Sequence, residues 1–540
     1  MLKVFGVILM TLQTALLLAV IFFIYEFLAT MDAYGPKIII GILPLLSGFF
    51  AGILLGNVTL GVIIGANTQL IALGAVPMGG AVPPDFGMVA ITAVVLASIA
   101  NIKPEVAVVL ALPAGILGMY FDIIGRTVNV GLVHRVDKLI EEGAVDKIDR
   151  WHLLGMPIMG LFRGAAVAIA VFIVAALGGE ALGAFLKSLP SWILDGLSVA
   201  GALLPAMGLG LILMYLGLER YKWYFIIAFI LVSLINIPLI FAIVIIVGFI
   251  VIWCKHKEAL KIEGGGEGVE AKIPSDVLRS SKLRSVLFFE ASWNYELMQG
   301  LGYLYSILPI LKHIYKGEEL KKAAKAHLEF FNTNPVLAPM IVSLDGVIES
   351  ARKGDLDFVR KLKIGLMGPL AGFGDSVIWL ATGGVLLILA ITLVRMGIVW
   401  GPLVFILLFD IVTFTIRFKS FDFGYKRGTS LVRVLTEEKM RGIREFAETL
   451  AVFSIGAIIP IVFQIRPVIG AELLASIDAA LMIFSVTIFI SALIGLGLTL
   501  LAKYLYGKGF KILHVLLIIF AIGFILGALR IIGAVGYVSV

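Results

Sequence analysis

The sequence has little of what a soluble enzyme or a disulfide-stabilised domain needs. Its 540 residues include one cysteine and six histidines, and charged residues make up only 15% of the chain. The lone Cys254 excludes an intrachain disulfide framework and makes a poor metal site. No Ser/His/Asp arrangement or metal-ligand spacing falls on the apolar stretches. The sequence therefore predicts no catalytic residue, no metal site and no cofactor.

What the chain does have is hydrophobic length. Apolar residues make up 60% of the sequence, whereas soluble domains contain about half. Five long apolar runs are Val7–Tyr25, Ala165–Gly179, Phe225–Ile252, Val385–Phe409 and Val515–Leu529. Because roughly 20 such residues cross a bilayer, we predict an all-α, multi-pass protein of the cell membrane with about a dozen embedded segments. The net charge of +7 fits basic cytoplasmic loops better than nucleic-acid binding.

A polar stretch divides the apolar sequence into two parts. It mixes charges of both signs and contains three consecutive glycines at 264–266, a composition typical of a solvated, flexible linker. We predict two helical membrane domains, 1–254 and 284–540, joined by a cytoplasmic linker at 255–283.

Two apolar stretches, hydrophobic enough for a membrane, are interrupted by glycines and prolines and end at an aspartate. The first covers 67–85 and the second 365–375. Backbone that leaves a helix inside a bilayer persists only where it lines a protein cavity. One interrupted segment in each half is the best sequence pointer to a transporter's binding site. We therefore predict broken or re-entrant hairpins at both places.

Motifs in both halves resemble one family. Residues 56–74 read GNVTLGVIIGANTQLIALG, with GGAVPPD at 79–85, and this half resembles the IIC subunit of the mannose-family sugar phosphotransferase system. The second half resembles the IID subunit of the same system. Its motifs are SWNYELMQ at 292–299, HLEFFNTNP at 327–335 and KIGLMGPLAGFGD at 363–375. The resemblance covers nearly the whole chain except the linker, which would join two normally separate subunits.

The resemblance implies a function and a set of partners. Members of this family move a hexose or an amino sugar inward, and a soluble IIB protein that carries a phosphohistidine phosphorylates the sugar, together with a IIA protein. Neither IIC nor IID carries a phosphorylated residue. The two subunits form one transport unit in the lipid membrane, three units associate, and transport follows an elevator-like motion. We therefore expect a homotrimeric permease whose phosphoryl donor lies on a partner.

The polar residues of the embedded segments include candidates for a sugar site. Such a site needs amides and carboxylates that face vicinal hydroxyls, and an aromatic surface. The candidates are Asn67, Thr68, Gln69 and Asp85 in the first half, and Trp293, Asn294, Glu296, Asn332, Lys363 and Asp375 in the second. Placing an ionisable side chain inside a membrane costs free energy, so such residues indicate a function by default.

Structural interpretations of the same residues stay open. Asp85 and Asp375 could cap the helices that follow them. Lys363 could extend its amine to the membrane interface, and Trp293 could belong to an interfacial aromatic belt. Asp122 is interpreted as an ion-pairing residue rather than a sugar ligand.

Two positions depart from the family pattern. Gln69 stands where IIC subunits usually have glutamate, and Glu290 stands where IID subunits usually have glutamine. We hypothesise that a carboxylate has moved from one half to the other at a shared site, which adds Glu290 to the candidates. If so, exchanging both residues together should be better tolerated than either single change.

Two other functions remain as alternatives. The chain could be a facilitator or an ion-coupled carrier that works without IIB, with the displaced carboxylate binding a proton or sodium ion. It could also be a membrane receptor or docking platform, although the sequence offers no separate sensor domain.

Overall fold

The computed structural model describes residues 2–75, 82–177, 179–234, 252, 273–351, 353–427, 437–463, 465–468, 470–481 and 486–534. The described part of the first half consists of helices and the loops that join them. Its helices are α1 (Leu2–Tyr34), α2 (Pro44–Leu54), α3 (Val58–Ala72), α4 (Phe86–Ala100), α5 (Pro104–Glu141), α6 (Ile148–Leu153), α7 (Gly155–Ala176), α8 (Gly179–Ser188), α9 (Ser191–Leu203), α10 (Pro205–Tyr215) and α11 (Leu218–Leu234), with a 3₁₀ turn at Val145–Lys147.

The second half adds helices and one small sheet. Its helices are α12 (Ser275–Leu287), α13 (Gly300–Ile314), α14 (Gly317–His327), α15 (Ala338–Ala351), α16 (Leu356–Gly374), α17 (Gly384–Arg395), α18 (Gly401–Arg427), α19 (Glu437–Val462), α20 (Ala471–Leu481), α21 (Val486–Gly507) and α22 (Ile512–Ala528). Strands β1 (Ile465–Pro467) and β2 (Ile532–Ala534) pair antiparallel, with Arg466 opposite Gly533.

The helices confirm a multi-pass membrane protein. Within the described ranges, eight helical segments are long and apolar enough to cross a bilayer, and four shorter apolar helices accompany them. The apolar run at 385–409, which Arg395 interrupts, is divided between two helices. Helix α17 ends at Arg395, and Gly397 then takes a positive φ of 83°, a conformation that ends helices. Most of the predicted run at 225–252, together with Cys254, lies outside the described residues.

The predicted break at 365–375 is wrong. Helix α16 runs through this segment to Gly374, and a π-helical stretch, Asp375–Gly383, continues directly into α17. Pro369 has no N–H and its ring would press on the carbonyl four residues earlier. That residue is Gly365, where an added Cβ would meet no atom within 4 Å. The chain thus stays helical through this segment instead of leaving the helix, so backbone hydrogen bonding continues inside the membrane.

The first interrupted segment is helical at its start and non-helical at its end. Asn67, Thr68 and Gln69 lie inside α3, and residues 82–85 are non-helical. Asp85 caps α4 by accepting a hydrogen bond from Met88 N at 3.0 Å. The glycines at 79 and 80 lie outside the described residues.

The packing does not follow the division of the sequence. The largest hydrophobic core combines helices of the first half with α17–α19, α21 and α22, and α9, α10 and α11 pack on α22, α21 and α19 respectively. A second core holds α12–α16 together with the end of α5. Helix α12 begins at Ser275, inside the range predicted as linker; residues 255–272 of that range are not described.

Close contact between α2 and α3 depends on glycine. A Cβ on Gly48 would lie 2.5 Å from Gly61 O and 2.6 Å from Gly65 Cα. Small residues at four-residue spacing let helices approach this closely in lipid. This contact fixes the position of α3, and therefore of Gln69.

Candidate functional site

A cavity of about 400 Å³ lies between the two parts of the chain. Its volume falls in the range of small-molecule sites. Six of the eleven predicted site residues line it: Gln69, Asp85, Glu290, Trp293, Asn332 and Asp375. Residues far apart in the sequence therefore share one chamber, whose lining is mostly apolar and carries several charged side chains.

One wall carries a cluster of charges from the first half. The guanidinium of Arg163 lies 2.6 Å from Asp85 Oδ2, 3.0 Å from Glu26 Oε1 and 3.2 Å from Asp122 Oδ1. Arg126 pairs with Asp122 one turn away on α5. These five residues form the Arg163 cluster. Asp122 is therefore an ion-pairing residue, as predicted, although it also lines the cavity.

Two glycines explain how the Arg163 cluster is assembled. Arg163 lies between Gly160 and Gly164 on α7, where added Cβ atoms would lie 2.8 Å and 3.1 Å from ring atoms of Phe27 and Phe23. The close approach of α7 to α1 places the guanidinium against Glu26.

The opposite wall centres on Glu290, which contacts Lys37 across the two halves. Glu290 Oε2 pairs with Lys37, and Glu290 Oε1 accepts a hydrogen bond from Gln299 Nε2 at 3.0 Å. Burial opposes ionisation of Glu290, but the Lys37 ammonium and the Gln299 amide hold the pKa of the carboxyl below its usual range. Glu290 is therefore a carboxylate whose two oxygens are already engaged.

A constrained loop positions Lys37. Its φ is 60° and that of Ile40 is 49°, and residues other than glycine rarely adopt such values. The carboxylate of Asp32 accepts hydrogen bonds from the backbone N–H groups of residues 38, 39 and 40 at 2.8–2.9 Å, which holds the loop in this form. The ammonium of Lys37 also lies 5.7 Å from the ring centroid of Trp379.

Asp375 lies at the start of the π-helical stretch and faces the same chamber. It does not cap a helix, because its Oδ1 accepts a hydrogen bond from Asn334 Nδ2 at 2.9 Å. Among the described residues, nothing donates to its second oxygen. This oxygen can accept a hydrogen bond from a bound hydroxyl or ammonium group.

Replacing Gly374 with alanine should disturb this arrangement. The new Cβ would lie 2.3 Å from Asn334 Cβ, so Asn334 must shift away from Asp375. We expect a loss of about 1–3 kcal/mol in the free energy of unfolding, the usual cost of overpacking, and weaker ligand binding. Gly372→Ala is the matched control, because no atom lies within 4 Å of that position. Equal denaturation temperatures of the Gly374→Ala and Gly372→Ala variants would contradict this packing role.

Trp293 and Trp379 supply the aromatic surface. Trp293 is 8% exposed and the Arg126 guanidinium lies 4.4 Å from its ring centroid, so it is no interfacial belt residue. Trp379 packs at 5.5 Å against Phe409, also a cavity residue.

Five predicted site residues are not brought to the cavity. Asn67 Oδ1 accepts a hydrogen bond from Arg395 at 3.3 Å, and Thr68 donates to Ile64 O within α3. Asn294 shapes a turn by accepting from the N–H groups of residues 296 and 297. The other two have partners of their own: Glu296 lies 3.1 Å from His134, and Lys363 lies 3.8 Å from Glu329 and 5.1 Å from the centre of the Tyr303 ring.

One group of side chains in the described residues could offer three metal ligands. It consists of His327, Asp345 and Glu349, whose ligand atoms lie within 4.8 Å of one another. Nδ1 of His327 faces Asp345 at 3.5 Å and Nε2 faces Glu349 at 2.9 Å. Because the two carboxylates lie on opposite edges of the ring, they bracket the imidazole and do not converge with it on one point. The geometry is that of a buried structural bridge between α14 and α15.

Sequence reasoning missed several cavity residues. The most important are Arg163, which pairs with Glu26 behind the wall, and Lys37, Gln299 and Trp379 on the other wall. Glu26 and Arg163 stand alone in apolar runs, and the cost of intramembrane charge could have identified them. Nothing in the local pattern indicates that Lys37 and Glu290 meet.

A chamber that carries charged side chains between helices long enough to cross a bilayer is typical of a membrane transporter. The sequence model of a family described as "PTS system sorbose-specific iic component" matches residues 13–253. The model described as "PTS system mannose/fructose/sorbose family IID component" matches residues 272–532.

Curated relatives of both subunits support the same family. The mannose-specific EIID component of Escherichia coli K12 is 34% identical over 196 residues, 35% of this chain and 69% of the relative. The sorbose-specific EIID component of Klebsiella pneumoniae is 30% identical over 48% of this chain and 98% of its own length. The fructose permease IIC component of Bacillus subtilis 168 is 29% identical over 36% of this chain and 72% of its own length.

The chain belongs to the mannose family of the sugar phosphotransferase system and joins IIC and IID membrane components in one polypeptide. It is a multi-pass sugar permease of the cell membrane.

Proposed function

We propose that the cavity is the sugar-binding site of this permease and that a hexose or an amino sugar passes inward through it. One observation carries the proposal: Gln69 and Asp85 of the IIC-like half face the same chamber as Glu290 and Asp375 of the IID-like half. A single chain then supplies both sides of the site.

The side chains fit the recognition of a polyol. Asp375 has an oxygen available to accept from a hydroxyl or ammonium group, and Asn332 adds an amide to the lining. Gln69 Oε1 accepts from Leu45 N at 3.3 Å, which directs its amide group. The chain orients the sugar and excludes water, and such positioning is a large part of catalysing phosphoryl transfer.

The phosphoryl donor in this proposal is a phosphohistidine on a soluble IIB protein, which a IIA protein recharges. Three copies of the chain would associate, as the family resemblance implies. The hydrophobic residues form two cores that share helices α5 and α18, and an elevator-like motion would shift one core against the other at the cavity. The α3–α4 hairpin, whose connection includes the non-helical residues 82–85, would serve as a re-entrant element.

The contacts of Glu290 disfavour it as the ion site of a IIB-independent carrier. A coupling ion needs free oxygens, and both oxygens of Glu290 have partners. No described feature favours a receptor or docking platform.

Transport by reconstituted vesicles tests the proposal. Purified chain in proteoliposomes is supplied with labelled mannose, fructose, sorbose or glucosamine, with and without phosphorylated IIB on the cytoplasmic side. We expect one or more of these sugars to accumulate as a phosphate only when phosphorylated IIB is present. Uptake of free sugar at the same rate without IIB would support the carrier instead.

Asp375→Asn should lower this uptake by about ten- to hundredfold, since a hydrogen bond to a charged group contributes about 1.5–3 kcal/mol. The matched control is Asp422→Asn, which changes an exposed partner of Lys282 and should leave uptake within about twofold. Similar uptake by the two variants would remove Asp375 from the site.

A further inference from the structure

We infer that Glu26, which lies behind the cavity wall and pairs with the lining residue Arg163, is a proton-binding site, and that sugar binding takes up one proton there. The inference rests on the proposed function of the cavity. A solvent proton adds to the free carboxylate oxygen of Glu26 and forms an O–H bond, and no other bond changes.

The first support is the charge balance of the Arg163 cluster. Three carboxylates (Glu26, Asp85 and Asp122) face two guanidiniums (Arg126 and Arg163). Glu26 is 1% exposed and Asp122 is 2% exposed. If all three acids ionise, one negative charge stays uncompensated inside the membrane, which costs several kcal/mol. One bound proton makes the cluster neutral.

The second support is the hydrogen bonding of each oxygen. Asp85 accepts from Met88 N and from Arg163. Asp122 accepts from Arg163 and from Arg126. Each of these two acids thus has a donor on both oxygens, which favours the ionised form.

Glu26 differs from both aspartates. Its Oε1 accepts from Arg163 Nε at 3.0 Å and from Thr30 Oγ1 at 3.3 Å. Its Oε2 is buried and has no hydrogen-bond partner among the described residues. A proton on this oxygen removes a buried negative charge that has no second donor, so Glu26 is the acid that holds it.

Among the described residues, no cation besides Arg163 pairs with Glu26. Helix α7 contributes only Arg163, and the other acid that acts on Glu26 is Asp85. Tyr25, beside Glu26 on α1, donates its hydroxyl to Gly41 O. Lys37 is paired with Glu290 on the opposite wall.

The direction of the coupling follows from desolvation. Asp85, Asp122, Arg126 and Arg163 line the cavity, so water in the empty chamber can screen an excess negative charge. A bound sugar replaces that water, and an uncompensated buried charge then costs more. Sugar binding should therefore favour the protonated cluster.

The experiment measures sugar binding and proton uptake with the purified full-length chain. Its probe is the sugar that gives the strongest uptake with phosphorylated IIB. The dissociation constant should rise with pH by up to about tenfold per pH unit above the titration of Glu26, the limit for one linked proton. In weakly buffered solution, an indicator dye should report proton uptake when the sugar is added.

Glu26→Gln imitates the protonated side chain. This variant should fold and should bind the sugar with a dissociation constant that does not change with pH. It should show no proton uptake when the sugar is added. Glu105→Gln is the matched control: Glu105 is also buried, at 4% exposure, but lies outside the Arg163 cluster, so its replacement should leave both signals unchanged. Infrared spectra provide a second readout, because sugar binding should create a protonated-carboxyl band that Glu26→Gln removes and Glu105→Gln retains.

Each contrary result counts against the inference. Wild-type pH dependence in Glu26→Gln, an unchanged infrared spectrum, or failure of Glu26→Gln to fold would overturn it, because a neutral isostere must replace a neutral acid. Absence of sugar binding at every pH would instead contradict the proposed function.

Discussion

Replacing Arg163 with methionine should abolish sugar uptake and destabilise the chain by about 3–5 kcal/mol, the usual cost of breaking a buried ion pair by removing one partner. Arg163 contacts three acids at once. Without it, Asp85 has no cation within the described part of the chain and the cavity wall loses its geometry. Thermal denaturation in detergent and vesicle uptake measure the two effects.

Arg163→Lys should rescue little of this loss, since a lysine ammonium is a point charge and cannot reproduce the planar fork of a guanidinium. Arg530→Met is the control. Its partner Asp195 is exposed, and exposed pairs contribute about 0–1 kcal/mol. If Arg163→Met unfolds at the same temperature as Arg530→Met, the Arg163 cluster is not a structural centre.

Lys37 and Glu290 should behave as one unit in a double-mutant cycle. Lys37→Met leaves a buried carboxylate unpaired, and Glu290→Gln leaves a buried ammonium unpaired. We expect each single change to cost about 2–5 kcal/mol. The double variant should lose less than the sum of the singles, with a coupling energy of at least about 1.5 kcal/mol. Denaturation and the KM for sugar uptake should both show this pattern.

The exposed pair Lys282–Asp422 supplies the control cycle. Because solvent screens it, its coupling should stay below about 1 kcal/mol. Additive effects at Lys37 and Glu290 would show that the two side chains act independently.

The Lys37–Glu290 ion pair also adds a condition to the hypothesis of a displaced carboxylate. Gln69 and Glu290 do line one chamber, but Glu290 balances Lys37. The paired exchange, Gln69→Glu with Glu290→Gln, would leave Lys37 without its partner. The exchange should therefore be tolerated only if Lys37 is replaced as well or reaches the new carboxylate at position 69. Uptake by the triple variant that also carries Lys37→Met can test this.

Local pattern predicted the first interrupted segment better than the second. Pro83, Pro84 and Asp85 lie outside the helices, and Asp85 both caps α4 and faces the cavity. At 365–375 the same signal failed, since glycine permits a break without requiring one. Neighbouring helices and the π-helical stretch decide whether the backbone stays bonded.

The candidate site shows the same limit at the level of side chains. Polarity within a membrane segment indicates that a residue needs a partner, but it does not distinguish a ligand from a neighbour. Asn67 is satisfied by Arg395 from the other half, and Lys363 lies beside Glu329 and Tyr303. Asp375 keeps an oxygen available at the cavity.

The sequence by itself determined the class of this protein, because apolar length and motif order are properties of the linear chain. Hydrophobic runs predicted a multi-pass membrane protein, and the motifs of both halves indicated a fused IIC–IID permease. Only the tertiary structure decided which charges meet: Lys37 with Glu290, and Arg163 with Glu26, Asp85 and Asp122. Ion pairs act over a few ångströms between residues far apart in sequence, so helix packing alone sets them.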